Sequence, residues 1–283
     1  MRRSLLCAFA LFAAWAPQDS SAAVWRADEW VKIQEAIDSA AYGDTVLVAP
    51  GKYDRLIIRS GIHLLAEKGP EETILRNGRH WVIKADGVDS TAVVEGFTLD
   101  GRKSAEGIVY AENSQLRVVD CVMQNAWSGV RSLYSQLRIE NCTFTRCQNG
   151  IYMFESEGVV TGCDIQLSVQ GINLVSSSPR IIRSSITRNS YGIIVSEHSD
   201  PQIGGSIASA NKIWNNAAGN IRNDAYLKKS AMRTNKLMTL QVPMNNWGTD
   251  CPDEQEFIGL VVWSPWVDEA GTKAIENCEA TAK

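Results

Sequence analysis

The chain has 283 residues, of which 45% are hydrophobic and 21% charged, so it can bury a large core without dividing into several domains. Its net charge is −4, and basic residues never run longer than two in succession. That composition argues against a nucleic-acid partner, which needs clustered positive surface.

Taken in order, Arg2 and Arg3 precede an apolar stretch from Leu5 to Ala16, and Ser21-Ala22-Ala23 then offers small residues for cleavage. This order predicts a signal peptide over residues 1–23 and a mature protein that is secreted or periplasmic. The apolar part is too short to span a bilayer, and no later segment approaches that length. Cys7 sits too early to be a lipoprotein cysteine. Removing 1–23 leaves 26 basic and 31 acidic residues, a net charge of −5.

Trp30, Ile33, Ala36, Ile37 and Ala40 recur at helical spacing, which predicts a helix over 28–41 with Asp28 as N-cap and Gly43 as its stop. Short strands follow at Val46–Val48, Ile57–Ile58, Ile62–Leu65, Trp81–Ile83 and Val93–Phe97, with Pro50-Gly51 as a turn. His63 and His80 fall within these strands and turns, where structural roles are expected.

From Gly107 onward the chain repeats. Glycines stand at 107, 129, 150, 171 and 192, so the units run 22, 21, 21 and 21 residues, each opening on a short alternating run. A second run follows about ten residues later: LRVVDCVM, LRIENCTF, GVVTGCDI and PRIIRSSI. These place Cys121, Cys142, Cys163 and Ser184 in one column and Met123, Phe144, Ile165 and Ile186 in another. Self-similarity at a fixed period signals a solenoid whose units bury their apolar faces against one another. The period is too short for a helix in each unit. The expected fold is all-β, a right-handed parallel β-helix with about 21 residues per coil. Its coils span 44–242, eight or nine of them, giving a rod roughly 40 Å long.

Export places six cysteines where disulfides are allowed. Cys251 and Cys278, in the loop-rich tail, are expected to pair. Cys121, Cys142 and Cys163 should stack inward as a ladder of small buried hydrophobes, not as a metal site, because no histidine shares their period. Cys147 lies off that column, at a turn, and either pairs or stays free. A loop over Gly204–Ala210 stretches the fifth unit to 27 residues. Beyond 242, Trp247, Trp263 and Trp266 suit a C-terminal cap over 243–283, so that 24–283 forms one domain. Most of the nine tryptophans are expected to serve core and cap packing.

The run Ile33-Gln34-Glu35-Ala36-Ile37-Asp38, then Gly43-Asp44-Thr45-Val46-Leu47-Val48 and Pro50-Gly51-x-Tyr53, resembles the opening of bacterial secreted β-helix repeat proteins of the pectin-lyase-like superfamily. The Gly-Ile coils and the closing Asn245-Asn246-Trp247-Gly248 with Ser264-Pro265-Trp266 are similar to the same group. The resemblance covers nearly the whole mature chain and implies a fold shared by pectate lyases, polygalacturonases, pectin methylesterases, alginate epimerases and non-catalytic carbohydrate binders. The catalytic motifs of those enzymes have no match here, so no catalytic residue carries over.

In each coil the second and fourth residues after glycine should face outward. That set is Val109 and Ala111, Arg131 and Leu133, Tyr152 and Phe154, Asn173 and Val175, then Ile194 and Ser196. Arg131, Tyr152 and Asn173 make a column suited to a saccharide: a guanidinium for a carboxylate, a ring face and an amide. At the edge of that face stand Glu155, Glu197 and His198. Hydrolysis needs two carboxyls about 5–10 Å apart, which Glu155 and Glu197 could supply. A lyase or epimerase would pair a base with a cation, as His198 and Arg131, but three coils separate them. The expected function is binding of a polysaccharide, of the uronic-acid type if Arg131 meets a carboxylate. The alternatives are a lyase, hydrolase or epimerase with an unrecognised site, and a structural or adhesive envelope protein. A monomer is expected, with no metal, cofactor or membrane span.

Overall fold

Alternating apolar runs become strands that hydrogen-bond in parallel to the equivalent run one coil later. Val130 pairs with Ile151, and Ile151 with Ile172, at a sequence separation of 21. The computed structural model describes residues 22–227 and 236–278. The expected signal segment 1–23 lies outside them except for its last two residues. The described chain is an all-β right-handed parallel β-helix with three faces. The first face carries nine strands, from Val24–Ala27 through Thr45–Val48 to Gln202–Ile203. Second-face strands run from Gly51–Tyr53 to Lys212–Trp214, and third-face strands from Leu56–Ile57 to Phe257–Ile258. In two coils the second and third faces are one bent strand, Val122–Leu133 and Thr143–Phe154.

The corners explain why the repeat has its particular letters. At the corner from third to first face, Asn113, Tyr134, Glu155 and Ser176 adopt left-handed backbone, with φ of 49°, 51°, 44° and 48°. This turns the chain and points the next side chain inward. That next residue is Ser114, Ser135, Ser156 or Ser177, all buried. Each of these four serine N–H groups donates to the serine hydroxyl one coil on, ending at Ser199, at 2.9–3.1 Å. Each of the four hydroxyls in turn donates to the carbonyl two residues before it, at 2.7–2.9 Å. At a bend no strand partner remains for these buried amides, and leaving one unpaired is costly.

The cysteine column belongs to the same kind of ladder at the first-to-second corner. Cys121, Cys142 and Cys163 are buried, and their thiols reach carbonyls at 3.2–3.8 Å. The column continues as Ser184, Asn211 and Asn245, where Cys163 N–H donates to Ser184, Ser184 N–H to Asn211, and Asn211 N–H to Asn245. These cysteines therefore fill hydrogen-bonding corner positions in addition to packing. Cys147 is buried and free, and lies in the second-to-third corner column with Ser168, Asn189 and Asn216. Stretching the fifth coil raises the separation to 27 without breaking either of these two ladders.

The recurrent glycine has a different cause. A β-carbon on Gly129, Gly150 or Gly171 would lie 2.5–2.6 Å from the carbonyl oxygen of the glycine one coil on. Gly107 is not in this column. Val109 pairs with Val130, and Gly107 pairs with Trp81, so Ile108 occupies the glycine position and the first interval is one residue longer.

The ends are closed. The helix spans Trp30–Ser39 and buries Ile33 and Ile37 over the first coil. Glu29, not Asp28, is its N-cap, and its carboxylate pairs with the Lys32 side chain at 3.2 Å instead of capping a backbone N–H. Trp30 lies off the apolar face, 41% exposed, because its indole N–H donates to the Arg55 carbonyl. Asp44 accepts from the Trp25 indole, Ala23 N–H and Ala41 N–H, which holds its carboxyl below the usual range and ties helix to strand. Parallel pairing runs past 242: Ile221 pairs with Phe257, and Leu240 with Val261. Trp247 and Trp266 are buried there, and Phe257 stacks on Trp263 at 4.3 Å. Cys251 and Cys278 are bridged, with Cα atoms 5.1 Å apart.

Two substitutions separate these causes. Gly150→Ala should destabilise the protein by about 1–3 kcal/mol through overpacking against backbone that cannot retreat. Ser156→Ala should cost about 1–3 kcal/mol by orphaning the Ser135 N–H. Urea unfolding of each variant measures both, and Glu157→Ala, an exposed neighbour, should change little.

Candidate functional site

Parallel register places one outward residue above another, so the third face is read column by column. The central column is Lys84, Tyr110, Arg131, Tyr152, Asn173, Ile194 and Arg222. The expected outward pair in the first repeat, Val109 and Ala111, is instead fully buried. The one-residue offset at Gly107 turns Tyr110 and Glu112 outward in their place. Ile194 is 9% exposed and contributes little surface.

Arg131, Tyr152 and Asn173 are consecutive in this column. The Arg131 guanidinium lies over the Tyr152 ring, 5.0 Å from its centroid, and its Nε has no hydrogen-bond partner. Asn173 donates to Gln170 at 2.7 Å, which fixes its amide. A flanking column runs Asp86, Glu112, Leu133, Phe154, Val175, Ser196 and Asp224, acidic at its ends and apolar at its centre. Lys84 pairs with Asp86 at 2.9 Å and Arg222 with Asp224 at 2.7 Å. Arg131 forms no such pair among the described residues.

Glu155 and Glu197 stand two rungs apart on the third-to-first corner, roughly 10 Å at the backbone. The Glu197 carboxylate accepts from Ser176 at 3.0 Å, while Glu155 is exposed beside Tyr134 and Glu157. His198 packs edge-on against Tyr226 at 5.1 Å, three rungs from Arg131. The fold does not bring His198 and Arg131 together. His63 bonds Glu95 at 2.8 Å on the first face, and His80 bonds Glu106 at 3.1 Å.

A first-face site escaped the sequence reading. Ser-Gln-Leu-Arg occurs at 114–117 and again at 135–138, so Gln115 stacks on Gln136 and Arg117 on Arg138. They line a cavity of about 220 Å³ with Ser90 and Gly158. A second cavity of about 300 Å³ shares Gln115 and Gln136 and adds Asn113, Tyr134, Glu155 and Glu157. The identical tetrapeptides were the available signal. Glu140 receives Arg117 at 2.9 Å and Arg138 at 2.8 Å. These guanidinium bonds, Arg117 first, hold its carboxyl below the usual glutamate range.

With this geometry in view, the family model described as Periplasmic copper-binding protein (NosD) matches residues 37–250, and the chain belongs to that family. The solved structure of pectate lyase Pel9A is similar at a TM-score of 0.56 and 11% identity, over 93% of this chain and 91% of that one. The A-module of the Azotobacter vinelandii mannuronan C-5 epimerase AlgE6 gives a TM-score of 0.36 at 16% identity, over 83% and 84%. The pectate lyase likeness shows the fold. No curated protein matches the sequence.

Copper in the family's description has no evident seat among the described residues. No group of three or more His, Cys, Asp or Glu side chains converges there. Two of the buried thiols, Cys142 and Cys147, do not suit a metal either, because a ligand cysteine must be a thiolate, whereas the hydrogen bond with Cys142 moves the Cys163 thiol down. Hydrogen bonds from Cys121 and Cys163, with burial, push the Cys142 thiol well up, and burial pushes Cys147 up to about 11.

The Glu140 bridge gives a pH-dependent outcome. Its folded-state carboxyl titrates below the unfolded one, so its contribution is present above the unfolded value of about 4.3 and is lost as pH falls through the lower folded value. Glu140→Gln should lower stability at pH 7, and the gap to wild type should close in acid. Thermal melts of both proteins across pH 7 to 3 check it.

Proposed function

We propose that this NosD-family β-helix is exported to the periplasm and binds an extended polysaccharide along its third face, as a single domain over 24–283. The observation that carries the reading is the central column, where the Arg131 guanidinium lies on the Tyr152 ring with Asn173 one rung on. A ring face and a planar cation stacked at the strand spacing suit successive sugar residues: the ring covers apolar C–H surface, and the guanidinium takes a carboxylate bidentately. Arg131 is free for this role because no carboxylate pairs with it among the described residues. The family's periplasmic description agrees with the charged, apolar and small-residue order of residues 1–23.

Binding, not turnover, is the better reading of this face. Glu197 is held by Ser176, Glu155 belongs to the corner cavity, and His198 packs on Tyr226. None of them flanks the Arg131–Tyr152 pair.

Affinity for a panel of uronic and neutral oligosaccharides tests this directly. Tyr152→Ala and Arg131→Ala should each weaken binding by about tenfold, the scale of one stacking or charge-assisted contact. Melting temperatures should stay near wild type, because both side chains face outward. If Gln136→Ala weakens binding and Tyr152→Ala does not, the ligand lies in the first-face cavity and the third-face reading fails.

A further inference from the structure

The corners between second and third face in the first three coils bring together chain segments 52–55, 76–81 and 100–106. Six cations stand there, Lys52, Arg55, Arg76, Arg79, Arg102 and Lys103, against three carboxylates, Asp54, Asp100 and Glu106. In a chain of net charge −4 this is a local reversal of sign. Lys52, Arg76 and Arg102 line a concavity of about 330 Å³ with Tyr53, Asp54 and Asn77.

Among the described residues, none of these three lining cations forms an ion pair. The reason is visible. Asp100 is the strand partner of Arg76, but its Oδ1 accepts from Arg102 N–H at 2.8 Å and from Asn125 at 3.3 Å, and its Oδ2 from Gln124 at 3.4 Å. The Asp54 carboxylate accepts the Arg55 N–H at 2.8 Å. Asp54 and Asp100 are bound by backbone and amides and Glu106 by His80, and the exposed Lys52, Arg76 and Arg102 are left facing solvent. Nearby, Arg55 lies over the Trp81 ring, 4.9 Å from its centroid.

The turn that presents Arg102 is also unusual. Arg102 and Lys103 are consecutive non-glycine residues in left-handed backbone, at φ of 50° and 68°. The turn closes through Ser104 and Ala105 N–H donating to the Gly101 carbonyl at 3.0 Å. Gly101 is required there, since a β-carbon would meet Ala126 Cβ at 2.7 Å. Strained backbone that holds charged side chains over a cleft is characteristic of binding sites.

We infer that this corner is an oxyanion-binding site, in which Lys52, Arg76 and Arg102 receive carboxylate, sulfate or phosphate groups of one ligand. Three cations against one lining carboxylate, Asp54, leave the cleft net positive, which concentrates the field and draws the opposite charge into it. The site stands apart from the third-face column and survives if that reading falls.

The test is calorimetric titration of the mature protein with oligogalacturonate, a sulfated oligosaccharide, inorganic phosphate and a neutral hexasaccharide, at roughly 50 and 300 mM salt. At least one oxyanion ligand should bind at low salt, weaken by about tenfold or more at high salt, and leave the neutral sugar without effect at this site. The three oxyanion ligands distinguish which group the site takes. Lys52→Ser with Arg76→Ser and Arg102→Ser should abolish this binding. Single Arg76→Gln and Arg102→Gln, both at exposed positions, should each weaken it several-fold with unchanged melting. Lys212→Ser, which removes an exposed cation at the other end of the second face, should leave it intact. The inference is overturned if no oxyanion ligand binds wild type at low salt, or if the triple variant binds as wild type does.

Discussion

Each regular coil turns three corners, and at these corners buried backbone N–H groups lose their partners in the sheet. The side chain of the next coil supplies the missing acceptor. Ser114 through Ser199 do so at one corner; Ser184, Asn211 and Asn245 at another; Ser168, Asn189 and Asn216 at the third. The hydroxyl or amide that accepts from one coil also donates to a nearby carbonyl, so each rung orients the next. The ladders therefore fix the coil length. An insertion is tolerated only where the next acceptor still lands in column, as it does at separations of 27.

This requirement divides labour within the repeat. Inward positions go to core and corner, and left-handed residues such as Tyr134 and Glu155 point outward as a by-product of the turn. What remains free to vary is the set of outward side chains on flat strands. On the third face those form a guanidinium–ring–amide column, and on the first face a Gln pair and an Arg pair whose arginines share Glu140. Sites here are vertical: their members lie about 21 residues apart, not within one loop.

The same stacking explains the basic corner of the first coils. No basic run in the sequence exceeds two residues, yet three turns superpose their charges at the strand spacing. Asp100 forms no ion pair with them, because its oxygens hold the Arg102–Lys103 turn and its neighbours in place. Net charge alone gives no hint of such a local reversal.

The period, the repeated strands and the cysteine column could be read from sequence because a solenoid is built from nearest-neighbour repetition, and one coil's pattern states the next coil's contacts. The Arg131–Tyr152–Asn173 column followed from that period alone. Register was legible only where the glycines held it: at Gly107 a one-residue slip reversed inside and outside, and Tyr110 replaced Val109 on the surface. The first-face cavity and the cation cleft were hidden, since both depend on which carboxylates are already occupied. Local sequence thus determined the fold, because periodicity and burial act between adjacent coils. Tertiary structure decided which charges are paired and which stay free, because hydrogen-bond competition at the corners is settled only once the coils are stacked.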